Sequence, residues 1–131
     1  MAENNVENKS ENSAINSNWS GNMPQRTRNK AQIINLFEIV SQLEKSAREK
    51  LISGYDIKNF ARLFEDAETM ATVNCFLKNG MNVSETARKL YMHRNTLIYR
   101  LKRIKKITGL DLRDFGCAVT FEILRSLYEL K

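Results

Sequence analysis

From residue 30 onward the apolar positions recur at three- and four-residue intervals, the period of one face of an α-helix. In the stretch 30–53 they are Ile33, Leu36, Phe37, Val40, Leu43, Ala47 and Leu51, with Gln42, Glu44, Lys45, Arg48 and Glu49 mostly opposite. The pattern predicts one long helix that stops at Gly54. Asp56 then offers an N-cap for a helix with Ile57, Phe60, Leu63 and Phe64 on one side. A further helix carries Met70, Val73, Phe76 and Leu77, with Glu65, Asp66 and Glu68 at its start, where acidic groups suit the helix dipole. Asn79-Gly80 closes it. After two more helices the chain ends on a helix over about 114–130, with Asp111 or Asp114 near its cap. There Phe115, Cys117, Phe121, Leu124 and Tyr128 share one side, and Val119, Ile123, Leu127 and Leu130 an adjacent one. Such a wide apolar arc is buried on two sides or against a partner. Proline occurs once and glycine five times, a scarcity that fits the expected fold, all-α with about five to six helices.

Residues 1–29 break the pattern. They are rich in Asn and Ser and nearly empty of apolar residues, which predicts a disordered tail, since too little surface can be buried to offset the entropy of ordering. Trp19 is the exception and reads either as loose packing on the domain or as a docking anchor. Arg26, Arg28 and Lys30 follow Pro24 and read as a solubilising linker or as a basic arm that adds DNA contacts. The expected organisation is a tail over 1–29, helices for packing or dimerisation over 30–65, and a DNA-binding unit over 66–131.

Charge singles out the stretch from Asn82 to Gly109. Arg88, Lys89, Arg94, Arg100, Lys102, Arg103, Lys105 and Lys106 face only Glu85 in acid, a surplus of seven, whereas the whole chain nets +6. One element therefore carries the entire basic bias, which points to a polyanion, and here to double-stranded DNA. Asn82 with Glu85 three residues on forms a capping box that opens a helix to about Leu90, with Val83, Ala87 and Leu90 inward. Tyr91-Met92-His93 makes a short corner, and a second helix runs from Arg94 to about Thr108 with Gly109 behind it. On a wheel of about 100° per residue, Leu97, Leu101, Ile104 and Thr108 fall on one side of this second helix and its polar residues on the other.

An α-helix fits the major groove of DNA, and the residues of its first turns reach the base edges. Arg94, Asn95 and Tyr99 are the candidates for base readout. Arg pairs twice with the guanine edge, and Asn does so with adenine. Thr96, Arg100, Lys102, Arg103 and Lys106 are placed for phosphates, joined by His93 at the corner and by Ser84 and Thr86 at the start of the first helix. A basic face is also what a merely solvated surface looks like. The combination with a cap, a small residue at the crossing and a short corner is more specific.

The residues NVSETARKLYMHRNTLIYRLKRIKKITGLDL resemble the C-terminal helix-turn-helix of PucR/CdaR-type bacterial transcription regulators, through NVSETARKL, HRNTLIYRLKRI and TGLDL. The resemblance runs from about Met70 to the C-terminus and is more distant to Fis-type DNA-binding domains, which are helical dimers. It implies a sequence-specific regulator with the helix from Arg94 in the major groove. Family members usually carry a large sensory region before this module. About seventy residues precede it here, so no small-molecule effector is expected.

No chemistry competes with this reading. His93 is the only histidine and lacks a metal or triad spacing, Cys75 and Cys117 are expected as reduced core cysteines, and no paired-carboxylate or phosphate-loop pattern occurs. No catalytic residue, metal or cofactor is expected. No apolar run approaches the roughly 20 residues that span a bilayer, and no signal peptide opens the chain, so a cytoplasmic, nucleoid-associated protein is expected. The expected function is DNA-binding transcription regulation by a homodimer, paired through the last helix and the first. An architectural DNA binder and a protein-interaction adaptor stay open as alternatives.

Overall fold

Asn35 starts the first helix by accepting a hydrogen bond from the Phe37 amide at 2.9 Å, in a computed structural model that describes residues 34–130. The tail over 1–29, with Trp19, Arg26 and Arg28, lies outside the described residues, as do Lys30 and Ile33. Among the described residues seven helices follow in order: α1 Leu36–Ser41, α2 Lys45–Ile52, α3 Ile57–Phe64, α4 Ala67–Lys78, α5 Val83–Lys89, α6 Arg94–Thr108 and α7 Phe115–Glu129. No strand occurs among the described residues, and the fold is all-α as the periodicity predicts.

The single helix expected over 30–53 is instead two. Ser41 Oγ donates to the Glu38 carbonyl, and the Gln42 and Leu43 amides reach back only three residues, to Ile39 and Val40. These local bonds tighten the last turn and end the ladder. Glu44 then adopts an extended backbone and opens α2. The broken helix lets α1 and α2 each lie on α7. Of the described residues of the expected stripe only Val40 is buried, while Phe37 and Leu51 are 37% and 48% exposed.

The core is shared by α3, α4, α6 and α7. Val73 and Phe76 of α4, Leu97 and Leu101 of α6, Leu112 in the connection and Phe121 of α7 are all 0% exposed. Each such side chain contributes about 1.5–3 kcal/mol by leaving water. Rings bind α3 to α7: Phe64 meets Phe121 edge-on with centroids 5.3 Å apart, and Phe60 and Tyr128 flank them. Asp114 is the cap of α7, accepting from the Cys117 amide at 3.0 Å. Asp111 serves the connection instead, accepting from the Arg113 backbone and guanidinium. Phe115 departs from the expected inward side and is 75% exposed, because the buried face of α7 begins one turn later at Ala118. Cys75 and Cys117 are half-buried free thiols.

Two helix ends set the path of the chain into the basic pair. At the end of α4 the Met81 amide donates to Phe76 O and the Gly80 amide to Leu77 O, with Gly80 at φ +65°. At the end of α5 the Met92 amide donates to Ala87 O and the Tyr91 amide to Arg88 O, with Tyr91 at φ +55°. Both are Schellman closures, which need a left-handed residue just past the cap. The first uses glycine, the second tyrosine.

Candidate nucleic-acid interface

The two-helix unit is built from its caps. Asn82 accepts from the Glu85 amide at 2.9 Å and starts α5. Only this forward half of the expected capping box forms, because the Glu85 carboxylate is taken by the Arg88 guanidinium, which also holds it below the ordinary carboxylate range. His93 starts α6: its Nδ1 accepts from the Asn95 amide at 3.0 Å, and its carbonyl from Thr96 and Leu97. Gly109, left-handed at φ +80°, ends α6 on the Lys105 carbonyl.

Between these caps α6 is fastened by Leu97, Leu101 and Ile104, with 0%, 0% and 2% of their surface exposed. Ala87 of α5, small and 3% exposed, lies in the same core, and α5 packs on α6. The opposite side of α6 is open. Arg94, Asn95 and Thr96 of its first turn are exposed, as are Tyr99, Lys102, Arg103 and Lys106. Arg94, Lys102 and Lys106 form no ion pair among the described residues. Ser84 is exposed on the first turn of α5. The three candidate readers and most of the candidate phosphate contacts therefore share one surface, with the His93 cap at its edge. His93 Nδ1 is spent on that cap, which leaves Nε2 for any further partner.

Two candidates are placed otherwise. Thr86 is fully buried and its hydroxyl donates to the Asn82 carbonyl at 2.7 Å, so it has no phosphate to meet. Arg100 is half-buried and already bonded: Nη2 lies 2.6 Å from the Glu68 carboxylate and Nη1 donates to the Thr72 hydroxyl at 3.2 Å. These partners are 32 and 28 residues away in sequence and belong to α4, beyond the reach of a helical wheel. Arg100 stands at a cleft of about 320 Å³ between α4 and α6, lined also by Thr69, Thr96, Tyr99 and Arg103. In that cleft the Thr69 hydroxyl holds the Asp66 carboxyl below the ordinary range, and Arg103 adds to the effect.

Among the described residues no three His, Cys, Asp or Glu side chains gather as a metal site, and no helix is long and apolar enough to cross a membrane. What the surface offers is hydrogen-bond donors and positive charge around an exposed helix start, a chemistry suited to an anionic duplex.

Known proteins share this unit. The model of the PucR C-terminal helix-turn-helix domain matches residues 69–124. The purine catabolism regulatory protein of Bacillus subtilis is 42% identical over 50 residues, covering 38% of this chain and 9% of that protein. The proline-responsive transcriptional activator PutR of the same organism is 32% identical over 82 residues, covering 59% of this chain and 20% of its own length. In three dimensions the chain is similar to the regulator of polyketide synthase expression from Bifidobacterium adolescentis, with a TM-score of 0.53 and 25% identity over 97% of this chain and 49% of that one. The chain thus spans a minor part of the curated relatives it matches. From the first turns of α4 to the last third of α7, residues 69–124 are a PucR C-terminal helix-turn-helix domain.

Proposed function

We propose that this chain is a DNA-binding transcription regulator that lays α6 in the major groove of double-stranded DNA. Arg94, Asn95 and Tyr99 read base edges. Ser84, His93, Thr96, Lys102, Arg103 and Lys106 hold the phosphates. Arg100 and Thr86 fall out of the phosphate set, because both are bonded inside the protein. The observation that carries the reading is the two-sided build of α6: Leu97, Leu101 and Ile104 lock it to the core, while its first turn and basic flank stand open. The relatives named as regulators and activators support it. The work is binding rather than catalysis, in the cytoplasm and at the nucleoid.

A homodimer completes the proposal. The apolar arc of α7 is covered within the chain by α1 and α2. The second copy is placed against the α1 end of the chain, where Ile34 ahead of the helix and Phe37 and Ile39 on its two flanks are 63%, 37% and 46% exposed. Paired across it, two α6 helices would serve half-sites about 34–36 Å apart. Light-scattering mass with Phe37→Glu tests the pairing: a wild-type monomer at micromolar concentration refutes it.

The central test is binding to a duplex selected from random sequences. Arg94→Ala should cost about 1–3 kcal/mol on that duplex and relax the preference at one position. Lys102→Ala should weaken all duplexes alike and make the plot of log affinity against log salt shallower by about one. Equal effects of both variants on selected and random DNA would remove the division into readers and holders. Equal wild-type affinity for both duplexes would favour an architectural binder, and no salt-dependent binding an adaptor.

A further inference from the structure

Arg100 sits amid the candidate DNA-contacting residues of α6, yet its guanidinium is turned along the protein. Nη1 is anchored on the Thr72 hydroxyl, which is 2% exposed and itself donates to the Glu68 carbonyl, so its lone pair is aimed at the arginine. Nη2 is held by the Glu68 carboxylate at 2.6 Å. The two ends differ in exposure: the Arg100 side chain is 33% exposed, and that of Glu68 is 72%. The pair closes one side of the cleft whose other edge is made by Thr96, Tyr99 and Arg103. A phosphate approaching those residues would meet Arg100 as well, were Glu68 not occupying Nη2.

We infer that Glu68 is an affinity-setting residue that competes with DNA phosphate for Arg100. This rests on the proposed placement of α6 in the major groove. Phosphate contacts add affinity for every sequence alike, so withholding one lowers binding to selected and random duplexes together and leaves base readout untouched. With Nη1 still fixed on buried Thr72, Arg100 stays oriented toward the cleft when Glu68 is neutralised. Glu68→Gln should therefore give the protein one additional phosphate contact while leaving the fold intact.

The test is a double-mutant cycle on the full chain, with Glu68→Gln, Arg100→Gln and both together. Affinity is measured for a selected and a random duplex between 50 and 200 mM salt. Glu68→Gln should steepen the salt slope by about 0.9, so that affinity falls about 3.5-fold more across this fourfold range of salt. It should also tighten binding to both duplexes at low salt by the same factor. Arg100→Gln alone should leave the slope as in the wild type, and the double variant should return to that slope. Three results overturn the inference: an unchanged slope in Glu68→Gln, an equal steepening in the Arg100→Gln background, or a shallower slope in Arg100→Gln alone. The second would mean that only overall charge had changed. Lys102→Ala runs beside them as the control for the reading itself. A shallower slope there with no response to Glu68→Gln sinks the role of Glu68 alone, whereas no wild-type binding to either duplex sinks both. Thermal melts separate loss of binding from loss of fold.

Discussion

Replacing Tyr91 with glycine should stabilise the protein, although it deletes an aromatic side chain. Tyr91 occupies the left-handed position of the Schellman closure of α5 at φ +55° and is 97% exposed. A left-handed backbone costs an L-residue with a Cβ roughly 1–2 kcal/mol, and glycine does not bear this cost. The exposed ring has almost no buried area to lose. Against the gain stands the greater freedom of glycine in the unfolded chain, about 0.4–1 kcal/mol. The net expectation is a gain of about 0.5–1 kcal/mol, which for a domain of this size raises the melting temperature by roughly 2–8 °C. The same closure at the end of α4 already has glycine at this position, Gly80 at φ +65°, and supplies the mirror experiment. A Cβ at Gly80 would meet nothing within 4 Å, so Gly80→Ala isolates the backbone cost and should lower stability. Chemical and thermal unfolding of both variants beside the wild type is the assay. A loss of more than about 0.5 kcal/mol in Tyr91→Gly, with Gly80→Ala behaving as expected, would refute the reasoning. It would show that the Tyr91 ring contributes packing that its exposure hides.

Leu97→Ala, made under the exposed face of α6, should cost about 2–5 kcal/mol of unfolding free energy, because Leu97 is fully buried and its neighbours cannot collapse into the gap. A cost below about 1 kcal/mol in denaturant unfolding would show that α6 is not held by this stripe. Asp111 accepts from the Arg113 guanidinium, which holds its carboxyl below the ordinary range. A folded-state value below the unfolded one means stability that is present above about pH 4 and lost as pH falls through the folded value. The melting temperatures of wild type and Asp111→Asn should therefore differ near pH 6 and converge toward pH 3. A constant gap across that range would dissociate Asp111 from the acid sensitivity.

The parts of the fold that could be read from the sequence are those decided within a few residues. Asn82 and Gly109 sit where they were expected, because capping and a left-handed exit are local chemistry. Leu97, Leu101 and Ile104 follow because a 3.6-residue period needs no knowledge of the partner surface. The misplacements have the opposite character. The Leu36–Leu51 period is continuous, yet tertiary packing on α7 selects a break that Ser41 makes locally cheap. Thr86 is polar and near a helix start, but it lies on the inner face of α5, where its hydroxyl closes on the backbone four residues back. Its place near the helix start suggested a phosphate contact, but its side chain lies beside Ala87 on the buried side. Tyr91 gave no signal at all, since the left-handed position carries no glycine.

Arg100 shows most clearly why a basic helix does not translate residue by residue into phosphate contacts. Six basic residues stand on α6 and no acidic one, so a reading confined to that helix assigns all of them outward. Three have carboxylate company from outside the helix: Arg100 from Glu68, Lys105 from Asp111 at 3.8 Å, and Arg103 through the charge of Asp66. Arg94, Lys102 and Lys106 have none among the described residues. The acidic start of α4, which suits its own helix dipole, thus also draws part of the charge on α6 into the fold, and on the proposed reading away from DNA. A helix read alone reports the total charge. The helix packed across from it decides how that charge divides between fixing α6 in the fold and holding a duplex.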